Sequence, residues 1–182
     1  MHKTRHRASD LLEAQLKKIR RRKAVFAQIR RMAVIAGMMY LLFGVVFGIS
    51  VVHGDSMEPV LHNGDIVFFY RLYQNYSIND IVLAEKDGDG DYIKRIVGLP
   101  GQTVDIDTKE HGLKIDGEVV SEPFIYEKTN KKTGCRYPLT LGKDEYFLLG
   151  DHRENSVDSR NYGAMAVDKL HGVAIAELRL GQ

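Results

Sequence analysis

The most prominent pattern in the chain is one apolar run, Met32–Val52, which holds 21 residues and no charge. At a helical rise of 1.5 Å per residue the run would span about 31 Å, close to the roughly 30 Å hydrocarbon core of a bilayer. The pattern therefore predicts a single transmembrane helix over residues 32–52. A cleaved secretory signal peptide is the alternative, but its apolar stretch usually covers only about 7–15 residues.

The segment before this run, residues 1–31, is strongly basic. It holds eleven lysines and arginines against Asp10 and Glu13. Such an excess on one flank predicts a cytoplasmic N-terminus and an extracytoplasmic position for the residues after the run. Apolar residues recur among the charges at near-helical spacing, so the segment is either an amphipathic helix on anionic lipid or a topology signal alone. No nucleic-acid recognition motif accompanies the charges, so a nucleic-acid partner is not expected.

Beyond Val52 the pattern changes to short β-branched and aromatic runs separated by turn residues. The runs are Ile66–Tyr70, Ile81–Glu85, Tyr92–Val97, Thr103–Ile106, Leu113–Ile115, Val119–Val120, Tyr146–Leu149 and Val173–Leu180. This spacing is typical of antiparallel strands, and it predicts a mainly β domain over residues 53–182. A polar stretch at 122–143 is interpreted as an excursion outside the core.

Length and composition narrow these interpretations. A chain of 182 residues suits one core of ordinary size, and Cys135, the single cysteine, excludes an intramolecular disulfide. The histidines lack the spacing of metal ligands, so neither a metal nor a cofactor is expected.

Three segments of the predicted β domain carry candidate chemistry: His53–Pro59, Tyr92–Gly101 and Gly150–Gly163. Taken singly, a serine beside glycine is usually a turn, and a lysine in an apolar strand usually extends to solvent. Taken together and in this order, G-D-S-M-x-P, Y-I-K-R-I-V-G-L-P-G and G-D-x-R-x-N-S-x-D-S-R resemble the motifs of the type I signal peptidases. These are membrane-anchored Ser/Lys endopeptidases that remove signal peptides from exported preproteins.

The resemblance implies roles for individual residues. Ser56 would be the nucleophile and Lys94 its general base, with Ser156 positioning the lysine. Asp158 and Arg160 would form a bracing salt bridge, and Asp151 would support the site. Many bacterial relatives have asparagine where this chain has His152, and some have an oxyanion-binding serine where it has Gly54.

The chemistry of the pair agrees with this assignment. A serine hydroxyl needs a neighbouring base, whereas an unperturbed lysine with a pKa near 10.4 is almost wholly protonated at neutral pH. Burial of the ammonium lowers its pKa. Lys94 lies in an apolar run and shares a strand face with Tyr92 and Ile96, so we expect it to be buried and within about 3.5 Å of Ser56.

The supporting residues follow a period of two. In an extended segment Ser156, Asp158 and Arg160 share one face, which predicts an Asp158–Arg160 pair. A serine hydroxyl can orient a neutral lysine without adding charge, so Ser156 is predicted to contact Lys94. His53 and His152 lie close to the motifs and are interpreted as solvated loop residues unless one of them takes part.

Substrate recognition is predicted near the same residues. The backbone N–H of Ser56 is the expected oxyanion donor, and Gly54 cannot add a hydroxyl. An extended peptide would add as a strand near Asp91–Ile93, in contact with Met57, Tyr92, Ile93 and Asn155. Pockets at alternate positions agree with the family preference for Ala-x-Ala.

Two other functions stay open on the sequence. A self-cleaving Ser/Lys regulator would share the pair, but the apolar span and the lack of a DNA-reading motif argue against it. A signal-peptidase-like factor in pilus or surface-protein assembly is the other, and an intact Ser56 and Lys94 argue against loss of catalysis.

Overall fold

The structure is a computed structural model that describes residues 2–86, 90–107, 112–130 and 134–179. The chain divides into two compact units, 1–45 and 46–182. Helix α1, His2–Leu41, forms most of the first unit, and a π-helical turn, Leu42–Val46, follows it. Within the described residues, the stretch Gln15–Val46 is the one helix that is long and apolar enough to cross a membrane.

The C-terminal end of the predicted transmembrane helix is wrong. Phe47–Val51 forms strand β1, which pairs antiparallel with strand β2, Ile66–Tyr70. An uncharged apolar run does not by itself distinguish a helix from a buried strand. Here pairing with β2 satisfies the backbone of Phe47–Val51, so the helical part of the run ends at Val46.

The second unit is built from two antiparallel sheets, and every strand pairing among the described residues is antiparallel. The remaining strands are β3 Ile81–Lys86, β4 Gly90–Gly98, β5 Thr103–Asp107, β6 Gly112–Ile115, β7 Glu118–Val119, β8 Leu139–Thr140, β9 Glu145–Leu149, β10 Met165–Ala166 and β11 Leu170–Leu178. Seven strands form one sheet in the order β1-β2-β11-β3-β4-β9-β10, and four form the other in the order β7-β6-β5-β8. A short helix, α2 Ser159–Tyr162, and a 3₁₀ turn, Val167–Lys169, lie between β9 and β11. The mainly β prediction is confirmed.

Strand β4 links the parts of the core. Ile96 packs in one buried cluster with Leu148, while Val97 packs in a second with Val104 of the smaller sheet. Ile93 packs in a third cluster, with Met57. Because both faces of β4 are covered from Ile93 to Gly98, a polar side chain in this strand is withdrawn from water.

The stretch 122–143 was expected to lie outside the core, and this is wrong in part. Thr129 and Leu141 are buried, and β8 of this stretch extends the smaller sheet. The sequence is polar because several of its side chains pair with buried charges, which are described below. Polarity alone therefore misplaced it.

Candidate active site

Ser56 lies in the turn between β1 and β2. The loop that carries it is closed by hydrogen bonds from the Val52 N–H to the Asp65 carbonyl, 2.8 Å, and from the Gly64 N–H to the Val52 carbonyl, 2.9 Å. Gly54 has a φ of 80°, a left-handed conformation that favours glycine, and its N–H donates to Asn63 Oδ1 at 3.0 Å. These contacts hold the half-buried Ser56 at a fixed place on the rim of the sheet.

Lys94 lies in β4, and its side chain is 3% exposed. Its Nζ donates to Ser56 Oγ at 2.9 Å and to the Ile93 carbonyl at 2.9 Å. The predicted contact between the two side chains is therefore present. It joins a turn and a strand that are 38 residues apart in sequence.

The electrostatic state of Lys94 follows from its burial. Burial lowers the lysine pKa from 10.5 to about 8, and the more distant charges of Asp158 and Asp151 raise it only in part. A pKa of about 8 leaves about one lysine in ten neutral at pH 7. The shift corresponds to roughly 3 kcal/mol of disfavoured charge, at about 1.36 kcal/mol per pH unit.

A groove of about 560 Å³ runs beside this pair. Its walls are Ile49–His53, Ser56, Met57, Asp91–Lys94 and Val157. Three of the four predicted substrate-binding residues, Met57, Tyr92 and Ile93, line it. Asn155 is not among the lining residues, because its amide donates to both carboxylate oxygens of Asp55, at 2.9 and 2.8 Å.

Among the residues that the structure describes, no strand pairs with one edge of β4 along this groove. β3 pairs with β4 from Gly90 to Arg95, whereas β9 pairs with it only from Arg95 to Gly98. Ile96 exchanges backbone hydrogen bonds with the β3 side, at Asn79 and Asp80. Because these groups alternate along a strand, the N–H and C=O groups of Asp91 and Ile93 point to the open edge.

Asp158 and Arg160 form the predicted pair. Arg160 Nε donates to Asp158 Oδ1 at 2.8 Å and Nη2 donates to Oδ2 at 2.7 Å, with both side chains fully buried. The expected extended backbone is present at Asp158, with φ −150° and ψ −166°, but not at Arg160, which lies in α2. Asp158 caps the N-terminus of α2 by accepting from the Arg160 N–H, and a capping box with Asn161 completes the turn.

Ser156 is buried beside this pair. Burial alone would raise the pKa of Asp158, but Arg160, the Gly150 N–H and a hydrogen bond from Ser156 hold it below its ordinary value. Within the described residues, the hydrogen bonds of Lys94 Nζ go to Ser56 and Ile93. The contact of Ser156 with Lys94 therefore stays a prediction.

Gly150 permits a close approach at this point. A Cβ atom on Gly150 would lie 2.5 Å from the Ser56 carbonyl oxygen, and it would also overlap the Ser156 side chain. The absence of a side chain at Gly150 thus lets the strand end of β9 pass directly behind the serine turn.

The amino-acid sequence of this site has relatives. The family model described as "Signal peptidase, peptidase S26" matches residues 25–178. The chain belongs to the signal peptidase family, peptidase S26. A signal peptidase I of Bacillus licheniformis is 32% identical over 164 residues, which cover 84% of this chain and 87% of that protein. Signal peptidase I T of Bacillus subtilis (strain 168) is 37% identical over 142 residues, 68% of this chain and 69% of that protein.

A solved structure is also similar. The crystal structure of a signal peptidase I from Enterococcus faecalis V583 matches with a TM-score of 0.45 and 27% identity, over 55% of this chain and 97% of that chain. As a member of the signal peptidase family, the protein is a serine endopeptidase, and the family acts on preproteins with signal peptides.

Two buried ion pairs extend the site of this family member. Asp151 is fully buried and accepts from Arg95 Nε at 2.8 Å and Nη2 at 2.7 Å. The Arg95 guanidinium also stacks 4.0 Å from the Phe124 ring centroid. Asp151 was predicted as a supporting residue and Arg95 was not, although Arg95 adjoins Lys94 and must face the opposite side of β4.

No role was predicted for Arg153, although it lies in the third motif. It is fully buried and pairs with Glu122 Oε1 at 2.6 Å, donates to Thr129 Oγ1, and donates from Nε to the Gly150 carbonyl at 2.9 Å. Glu122 and Thr129 belong to the polar stretch 122–143. No local pattern connects residues that lie 24 to 31 positions apart, so only the fold reveals this pair.

The two histidines near the motifs have different surroundings. His53 is exposed on the groove wall, with Nδ1 2.8 Å from the Val51 carbonyl. His152 is half-buried, with Nδ1 3.2 Å from the Asp55 carbonyl and Nε2 3.4 Å from Glu127 Oε1. The interpretation of His152 as a solvated loop residue is therefore wrong.

Proposed function

We propose that the protein is a type I signal peptidase of the cell membrane that cleaves exported preproteins after Ala-x-Ala, using Ser56 and Lys94. The observation that carries this proposal is the 2.9 Å contact between Lys94 Nζ and Ser56 Oγ. The lysine is buried, and within the described residues no carboxylate lies in salt-bridge range of it. Such a lysine is available as a neutral base near neutral pH.

The proposed reaction uses one base twice. Neutral Lys94 accepts the hydroxyl proton of Ser56 while Oγ bonds to the scissile carbonyl carbon. The resulting ammonium donates that proton to the leaving amine nitrogen as the C–N bond breaks, which leaves an acyl-Ser56 ester. Lys94 then removes a proton from water, which attacks the ester, and it returns the proton to Ser56 Oγ.

The tetrahedral intermediate needs a donor for its oxyanion. Within the described residues the Ser56 N–H makes no hydrogen bond to protein, which supports its role as that donor. Gly54 offers no hydroxyl, so a second donor would come from another backbone N–H or from water.

We infer that the substrate adds as a strand to the open edge of β4. The outward N–H and C=O groups of Asp91 and the N–H of Ile93 would pair with the substrate backbone, while the Ile93 carbonyl accepts from Lys94 Nζ. In an extended peptide alternate side chains face the same way, so two small residues with a free one between them suit the groove walls at Met57 and Ile93. This geometry supports the Ala-x-Ala preference.

We further propose that α1 anchors the protein with a cytoplasmic N-terminus. The uncharged helical stretch, Met32 to Val46, consists of the end of α1 and the π-helical turn. It spans about 22 Å at 1.5 Å per residue, less than a bilayer core of about 30 Å. About five further residues are needed, so Arg30 and Arg31 would extend their guanidinium groups to the headgroups.

Activity is tested with detergent-solubilised full chain and a preprotein that carries Ala-x-Ala at its cleavage site. We expect release of the mature chain, and no release with Ser56→Ala or with phenylalanine in place of the last alanine. Failure of the wild-type protein to cleave, or cleavage by Ser56→Ala, would overturn the proposal.

Topology is tested in intact cells with a membrane-impermeant thiol reagent. In a Cys135→Ala background, we expect Ser9→Cys to be shielded and the exposed Lys128→Cys to be labelled. The opposite labelling pattern would reverse the proposed orientation.

A further inference from the structure

The peptide unit between Asp55 and Ser56 has two functional ends. One end is the Ser56 N–H, the proposed oxyanion donor. The other end is the Asp55 carbonyl, which accepts from the Glu58 N–H at 3.0 Å and lies 3.2 Å from His152 Nδ1. Since a peptide unit is planar, any group that fixes the carbonyl also fixes the direction of the N–H.

His152 contacts the peptide units on both sides of Ser56. Its backbone N–H donates to the Ser56 carbonyl at 3.1 Å, and its ring contacts the Asp55 carbonyl of the preceding unit. On its other side, Nε2 of the ring lies 3.4 Å from Glu127 Oε1, and the Tyr126 ring packs against the imidazole in a T-shaped arrangement at a centroid distance of 5.7 Å. His152 therefore connects the serine turn to the stretch 122–143.

The Asp55 carbonyl indicates which nitrogen of the His152 ring carries a hydrogen. The Asp55 carbonyl can only accept a hydrogen bond, so Nδ1 carries the hydrogen that faces it. A hydrogen bond to a carbonyl also polarises the amide and strengthens the N–H at the opposite end of the same unit. The contact thus improves both the direction and the donor strength of the Ser56 N–H.

We propose that His152 is a positioning residue for oxyanion binding, which holds the Asp55 carbonyl and so aims the Ser56 N–H at the developing negative charge. This inference rests on the proposed function, because it requires Ser56 to be the nucleophile. The part of the reaction that depends on His152 is then the transition state and not the bound substrate.

The test compares side chains that place a donor at different points. Asparagine places its amide near the position of Nδ1, whereas glutamine places it near Nε2. We therefore measure kcat and KM of the full chain for His152→Ala, His152→Asn and His152→Gln. A peptide boronate, which forms a tetrahedral adduct with serine, and the unmodified product peptide are compared as inhibitors of each variant.

We expect His152→Ala to lower kcat about tenfold to a hundredfold while KM changes less than about twofold. His152→Asn should restore most of kcat, and His152→Gln should not. Affinity for the boronate should fall in parallel with kcat, while affinity for the product peptide stays constant. His62→Ala is the matched control. It removes a half-buried imidazole from the loop that carries Ser56 but does not change a contact of the Asp55–Ser56 peptide unit, so kcat should stay unchanged.

The proposal is overturned if His152→Ala keeps kcat, if its loss lies in KM alone, or if glutamine restores activity as well as asparagine does. The asparagine and glutamine variants decide the matter even if the alanine variant does not fold. Ser56→Ala separates the two levels of inference. If that variant is inactive while His152→Ala is fully active, the proposed function stands and only the role of His152 fails.

Discussion

Two kinds of buried cation occur in this molecule, and the adjacent residues Lys94 and Arg95 are an example of each. Arg95, Arg153 and Arg160 each have a carboxylate at 2.6 to 2.8 Å, whereas Lys94 has a hydroxyl and a carbonyl. Burial removes water from both kinds of cation. Each arginine contacts a carboxylate instead, whereas Lys94 contacts only neutral groups among the described residues.

The difference explains how one site can contain both a structural framework and a base. Burial lowers the pKa of Arg153, but Glu122 opposes the shift, and a guanidinium stays protonated in proteins. Burial lowers the pKa of Lys94 to about 8, and in the described part of the chain no carboxylate forms an ion pair with it. Asp151 and Asp158 are each paired with an arginine, so their charges raise the pKa of Lys94 only in part.

The largest expected effect on activity comes from changes to Lys94, the buried cation that has no carboxylate partner among the residues described, and to Ser56. We expect Ser56→Ala and Lys94→Ala each to reduce kcat by a factor of about 10³ or more, and the double variant to be no worse, because the two groups act as a unit. Lys94→Arg should also be inactive, since a guanidinium cannot act as a base near neutral pH. Rates with a preprotein substrate test this, with circular dichroism as a check of folding.

The next effect concerns a paired cation. Asp158→Asn leaves the buried Arg160 guanidinium without its charge partner, so we expect the free energy of unfolding to fall by about 3–5 kcal/mol. The control is Asp107→Asn at the partly exposed Lys114–Asp107 pair, 2.6 Å, where a loss of at most about 1 kcal/mol is expected. Equal losses in urea denaturation would contradict the distinction.

The pH dependence reports the lysine directly. With a pKa of about 8, kcat/KM should rise about tenfold per pH unit below pH 8 and then level off. The folded-state pKa lies below the unfolded value, so the unfolded chain binds more protons between about pH 8 and 10.5. Unfolding free energy should therefore rise with pH in this window, by up to about 3 kcal/mol relative to Lys94→Met. An identical pH dependence of both proteins would contradict the lowered pKa.

The smallest expected effect belongs to Ser156. Its hydroxyl supports Asp158 and is predicted to orient Lys94, so Ser156→Ala should lower kcat about tenfold. The pH midpoint of kcat/KM should move at the same time, because the charge of Asp158 acts on the lysine. Full activity of Ser156→Ala, with the pH midpoint unchanged, would show that Ser156 has no role in catalysis.

Much of the fold could be predicted from the sequence where a pattern is local. Strand β2 begins and ends at the predicted residues, Ile66 and Tyr70, because alternation and flanking turns define it. Strand β1 could not be predicted, since the helical and extended states of an uncharged run look alike until β2 is in place. The pair Asp158–Arg160 was predicted on an extended backbone, yet an N-cap turn also brings residues two apart together.

The site divides in the same way. Ser56 and Lys94 were predicted from motifs, and their contact followed from chemical need. Glu122, Thr129 and Arg153 carry no motif that relates them, because their association depends on the path of the stretch 122–143. Pairs of buried charges that are distant in sequence are thus the part of the site that only the folded structure reveals.

Gly54 and Gly150 have very different latitude for evolutionary change. A Cβ at Gly54 would meet open space, and the constraint there is a φ of 80°, which asparagine and aspartate tolerate at about 1 kcal/mol or slightly more. A Cβ at Gly150 would lie 2.5 Å from the Ser56 carbonyl oxygen, so the backbone of the serine turn or of Gly150 would have to move. Substitutions can therefore accumulate at residue 54 during evolution. Residue 150 must stay glycine, because the serine turn lies too close to it for any side chain.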